Sequence, residues 1–154
     1  VKKPKSEEHK SEISYKLAGV MPKNMINKGA YSNIQSGKYK VGNQIIYFRS
    51  KWEANYALYL EFLKKQKEIK KWEYEADTFI FEKIKFGTRS YRPDFKITNN
   101  NDRIEYHEVK GYFDSKSKTK MKRMKKYYPE ISLRIIDAKT YNSLKKWAKV
   151  LNFY

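Results

Sequence analysis

Three charged residues, placed at the ends of two short apolar runs, hold the most chemical information in this chain. One run is Tyr91-Arg92-Pro93-Asp94-Phe95-Lys96-Ile97, and the other is Ile104-Glu105-Tyr106-His107-Glu108-Val109-Lys110-Gly111. Side chains alternate along a strand, so Glu108 and Lys110 point the same way. If the two runs pair through the Asn/Asp-rich turn at 99–102, Asp94 can sit beside them. Two carboxylates and an ammonium are costly to bring together, and a divalent metal acting on a phosphodiester is the commonest reason to do it. Mg²⁺ prefers oxygen ligands and keeps several waters, so one or two carboxylates suffice to hold it. Asp94 and Glu108 suit that role, and the carbonyl of Val109 offers a further oxygen. Lys110 suits positioning or deprotonating a water, or stabilising the pentavalent state. Chance is the competing explanation, because an E-x-K triplet arises easily in a chain rich in both residues. The context favours chemistry. Pro93 stands at a strand start, where its missing N–H costs least, and Gly111 closes the second strand.

These residues need a scaffold, and the sequence supplies one. Ser50-Lys51-Trp52-Glu53 has the form of a capping box, and Trp52, Tyr56, Leu60 and Leu63 then recur at helical spacing to about residue 66. Trp72, Tyr74 and Ala76, followed by Phe79 and Phe81, alternate as strands do. Asp114 or Ser115 caps a helix to about Tyr128, with Met121, Met124 and Tyr128 inward, and Pro129 stops it. Leu133 to Ile136 is a short buried strand. Tyr141, Leu144, Trp147, Ala148 and Leu151 mark a last helix. The order predicts an α/β (α+β) domain, a central mixed sheet flanked by helices, over residues 44–154. Residues 1–43 read as a separate piece. Ser6, Glu7 and Glu8 open a short helix that Gly19 stops, and Met21 to Lys40 reads as an extended arm broken by Pro22, Gly29 and Gly37.

Pro93-Asp94 followed by Glu108-Val109-Lys110 resembles the signature of the PD-(D/E)xK nuclease superfamily, over roughly residues 47–136. The resemblance implies a restriction-endonuclease-like core and Mg²⁺-dependent hydrolysis of DNA, with Mn²⁺ as a substitute. It also implies catalytic roles for Asp94, Glu108 and Lys110. Many members carry an acidic residue on the first core helix, and Glu53 stands at the matching place; its other reading is the cap with Ser50. Members range from restriction to repair, so the motif speaks to chemistry more than to biology. His107 falls on the opposite strand face from Glu108 and reads as a packing residue. A related nuclease family does use a histidine near its carboxylates, which keeps His107 as a second-tier ligand.

Charge points to the substrate. Lys and Arg number 35 against 17 acidic residues among 154, a formal charge of +18. Such a chain suits a polyanion, nucleic acid before membrane, since the basic segments lack a broad apolar face. Between Ser115 and Lys126 there are seven basic residues and no acid, giving a cationic ridge with Lys116, Lys118, Lys120, Lys122 and Arg123. Arg89 and Arg92, before Asp94, add further contacts. The first helix, with Lys10 and Lys16, is similar to a modular DNA-binding helix of mobile-intron homing endonucleases. With an arm ending in Lys38 and Lys40, it suits the minor groove.

The expectation is a site-specific homing endonuclease acting on double-stranded DNA, as a homodimer because a double-strand cut needs two sites. A junction resolvase, a repair nuclease and a non-catalytic DNA-binding module are the alternatives. No small-molecule cofactor is expected. With no cysteine, no signal-peptide pattern and no membrane-length apolar run, the expected place is the cytoplasm of a bacterial host, with a phage or mobile element as source. The chain opens on Val1 rather than methionine, a start compatible with an upstream segment.

Overall fold

The structure, a computed structural model, describes residues 35–154. The expected helix between Ser6 and Gly19, and with it Lys10 and Lys16, lies outside the described residues.

The described part begins with a hairpin of β1 (Gly37–Val41) and β2 (Gln44–Phe48). The extended arm expected to run through Lys40 therefore gives way at Gly37 to a strand. Two outward lysines masked its period: Tyr39 and Val41 turn in, Val41 to 2% exposure, while Lys38 and Lys40 turn out. Gly42 makes the turn possible, since its φ of +59° is costly for any residue with a Cβ.

Helix α1 (Lys51–Lys65) starts where the capping box predicts, with the Ser50 side chain accepting from the Glu53 amide. It buries Ala54, Tyr56, Ala57 and Leu60. Strands β3 (Ile69–Tyr74), β6 (Phe95–Asn99), β7 (Ile104–Val109) and β8 (Leu133–Ile136) form one sheet in the order β3-β6-β7-β8. The first two pairings are antiparallel, and β7 with β8 is parallel. A parallel neighbour needs a crossover, which α2 (Ser115–Tyr127) provides under the Asp114 cap. Strands β4 (Phe79–Ile80) and β5 (Ser90–Tyr91) form a minimal separate ribbon. The mixed α/β architecture expected from the sequence is thus present.

The last helix, α3 (Ala138–Leu144), is shorter than its apolar spacing predicts, and it passes into a 3₁₀ turn at Lys145–Trp147. Tyr141 and Leu144 reach the core, whereas Trp147 turns to the ring of Phe62 and stays half-buried. Buried side chains form two cores. Phe95, Ile97 and Val109 join α1, Tyr141 and Leu144, while Tyr91, Leu133 and Phe81 pack with Met124 of α2. Phe95 is fully buried and meets the rings of Phe48, Tyr56, Trp72 and Tyr74 at 5.4–6.4 Å.

Candidate active site

The antiparallel register of β6 and β7 brings the sequence-predicted residues together. Phe95 pairs with His107, so Asp94, one step earlier, falls level with Glu108. Asp94 is 3% and Glu108 9% exposed. Asp94 Oδ2 accepts the Val109 amide at 2.8 Å, and Oδ1 accepts Arg49 Nη2 at 2.9 Å. Glu108 Oε2 accepts the Tyr91 hydroxyl at 2.8 Å. Its other oxygen has no hydrogen-bond partner among the described residues. Lys110 lies half-buried just past β7, where its amide donates to Ile136 and its charge acts on Glu108.

Burial pushes the Asp94 carboxyl well above the usual carboxylate range. The neighbouring Glu108 and Glu53 carboxylates add to that push, against the Val109 amide and Arg49. Burial also raises Glu108, opposed by the Tyr91 hydroxyl, Lys110, Lys120 and Arg49. Two acids held in mutual repulsion are a functional arrangement more often than a structural one.

Glu53 is buried and spent as a cap. Its Oε1 accepts Ser50 Oγ at 2.8 Å, and its Oε2 accepts the Tyr74 hydroxyl at 2.6 Å and the Arg49 amide at 3.2 Å. It is nevertheless close enough to act on Asp94. The cap expected with Ser50 is therefore present, and the Glu53 carboxylate also stands near Asp94. His107 faces away from Glu108, with Nδ1 2.7 Å from the Tyr56 hydroxyl and Nε2 3.0 Å from Glu105, in the packing role expected of it. Burial lowers its pKa, and Glu105 partly offsets this.

Three participants escaped the sequence reading. Arg49 bridges Asp94 and Glu75, whose Oε1 is 2.8 Å from Nη2. Burial works against its charge, but the Tyr74 hydroxyl and the carboxylates of Asp94, Glu75 and Glu53 hold it firmly protonated. Glu75 has a left-handed φ of +48°, and its amide donates to the Asp94 carbonyl at 2.8 Å. Strain of this kind in a residue other than glycine costs about 1–3 kcal/mol and tends to gather at functional sites. Tyr91, 1% exposed, is the third. Its position three residues before Asp94 was the available signal, whereas nothing in the sequence links Arg49 to a site 45 residues away.

The basic residues divide. Lys116, Lys118 and Lys122 project from α2 into solvent, and Arg89 is exposed. Lys120 turns to the site, its Nζ 5.7 Å from the centre of the Tyr91 ring and its charge acting on Glu108. Arg123 instead donates to the Thr88 carbonyl and ties α2 to the β4–β5 segment. Arg92 donates from Nε to Thr78 Oγ1 at 2.9 Å and approaches Glu75. Lys38 and Lys40 are exposed on β1.

Among the described residues no three His, Asp or Glu side chains form a ready cage for a metal ion. The donor set of Asp94 and Glu108 nevertheless fits a hard cation, which takes one or two carboxylates and completes its shell with water. Both acids are buried, in repulsion, and in part compensated by cationic side chains. No helix among the described residues is long and apolar enough to cross a membrane.

No curated protein shows a significant match to the chain. A family model does match over residues 35–145, which takes in the hairpin, the whole four-stranded sheet and every residue of the site just described. The chain therefore belongs to the family described as Protein of unknown function (DUF1064).

Proposed function

We propose that this protein is a Mg²⁺-dependent DNA endonuclease of PD-(D/E)xK type. The observation that carries the reading is the pair of buried, mutually repelling carboxylates of Asp94 and Glu108 beside Lys110, on adjacent strand ends. Asp94 and Glu108 would hold the ion, with Mn²⁺ able to replace it. When bound, the ion would lower the pKa of a coordinated water and offset charge on the phosphate. The protein's own part follows from its geometry. The Val109 amide and the Tyr91 hydroxyl fix the two carboxylates, so neither must reorganise during reaction. Lys110 places an ammonium at the same edge, suited to orienting the attacking water and to neutralising the phosphorane. Lys120 adds a second cation from α2. The exposed Lys116, Lys118 and Lys122 supply backbone contacts to duplex DNA.

The finer reading, a site-specific homing enzyme, is supported by the N-terminal segment's likeness to a modular DNA-binding helix, and the homodimer by the two sites a double-strand cut needs. A non-catalytic DNA-binding module is the second reading, and the Arg49–Asp94 ion pair favours it, because that guanidinium already neutralises one carboxylate. Replacing Asp94 or Lys110 by Ala separates the two. Nicking of plasmid DNA with Mg²⁺ should vanish in each variant while duplex binding persists. Undiminished nicking by both variants would remove Asp94 and Lys110 from the mechanism. Absence of nicking by the parent protein with either ion would leave the non-catalytic module.

A further inference from the structure

The β1–β2 hairpin presents a face that its own packing does not explain. Tyr39, Val41, Ile46 and Phe48 turn inward and join the main core. The opposite face consists of two cross-strand pairs, Lys38 with Tyr47 and Lys40 with Ile45. Ile45 is 73% and Tyr47 56% exposed, and both lysines are exposed with no acidic partner among the described residues. A solvated strand face ordinarily carries polar residues of mixed charge. This one alternates cations with an aromatic and a branched apolar side chain.

We propose that this outward face is a docking track for duplex DNA that leads into the Asp94–Glu108 site; the proposal rests on the nuclease reading. Three observations select the occupant. Both charges on the face are cationic, on a chain of charge +18, which suits a polyanion whose sugars also offer apolar edges to Ile45 and Tyr47. A second copy is a poor fit, because like lysines would meet and four side chains fall far short of the roughly 1,000 Å² a specific protein interface needs. The face is also continuous with the site. After Ile45 and Tyr47 the next residue of the same parity is Arg49, with 59% of its side chain exposed and its guanidinium on Asp94. Strands of this length reach about 17 Å, which matches about five base pairs of duplex.

The test compares duplex binding by the full chain, measured by fluorescence anisotropy over a range of salt, with footprinting in chelator. K38Q/K40Q should lower the slope of log K against log salt by about 2, one unit for each lost phosphate contact. It should also shorten protection by about five base pairs on one flank only. K38R/K40R should keep the parental slope, which separates lost charge from a damaged hairpin. I45T/Y47T should weaken binding several-fold at unchanged slope. Parental slope and footprint in K38Q/K40Q would overturn the track and leave the nuclease reading standing. Tighter binding of RNA than of duplex DNA would overturn it as well, as would loss of self-association by I45T/Y47T with DNA binding intact. Absence of DNA binding by the parent protein at any salt would instead bring down the proposed function itself.

Discussion

Replacing Glu108 by Gln should stabilise the fold at neutral pH while abolishing the metal-dependent cleavage proposed above. The carboxylate is 9% exposed, and burial raises its pKa above the ordinary value of 4.5 despite the Tyr91 hydroxyl and nearby cations. An acid with a raised folded pKa binds its proton more tightly in the folded state. Stability therefore falls as pH rises from the unfolded pKa to the folded one, and the full cost persists above it. Glutamine has the same shape and no charge to desolvate, and its amide oxygen can accept the Tyr91 hydroxyl as Oε2 does at 2.8 Å. The losses are the charge assistance of that bond, about 1 kcal/mol, and the attraction of the half-exposed Lys110 and Lys120, together about 1 kcal/mol. The gain is relief of a buried carboxylate's desolvation, on the order of several kcal/mol. A net stabilisation of about 1–3 kcal/mol follows, or roughly 3–10 °C in Tm. Thermal melts in chelator, followed by circular dichroism from about pH 4 to about pH 8, should show the variant's advantage vanish at the acid end and grow towards neutrality. A variant that melts lower at neutral pH, or a difference that ignores pH, would refute the reasoning.

Two further substitutions probe the scaffold and the site's charge. Phe95→Ala removes the ring on which Phe48, Tyr56, Trp72 and Tyr74 converge, and should cost about 3–5 kcal/mol in denaturant unfolding. A loss of under about 1 kcal/mol would mean that the aromatic cluster repacks. Arg49→Gln withdraws the guanidinium that sits 2.9 Å from Asp94 Oδ1, so Mn²⁺ should raise Tm at roughly tenfold lower concentration than in the parent. A requirement for more Mn²⁺ in the variant would show that Arg49 supports the ion's place instead of competing for it.

Local signals in the sequence were readable where the chemistry is local. The Ser50–Glu53 cap, the Asp114 cap and the helices they open follow from hydrogen bonds spanning three residues. The strand β1 was hidden because its two-residue period alternates lysine with apolar groups, which reads as a basic arm until Phe48 and Tyr154 cover Tyr39. The last helix ends before its apolar spacing does, because that spacing continues past Leu144 while the core it could face does not.

The same division holds for the site. The sequence alone determined which groups could do chemistry: the types and spacing of Asp94, Glu108 and Lys110 fix a hairpin that places two carboxylates and an ammonium at one edge. Only the tertiary structure decided their surroundings. Arg49 reaches Asp94 across the start of α1, Tyr91 reaches Glu108 from a separate ribbon, and Lys120 arrives on the crossover helix. Such contacts between distant segments leave no mark in local periodicity, because they depend on the register of β6 against β7 and on which face each helix covers. They also set the charge state of the pair, since desolvation and mutual repulsion exist only once the chain has closed around both acids.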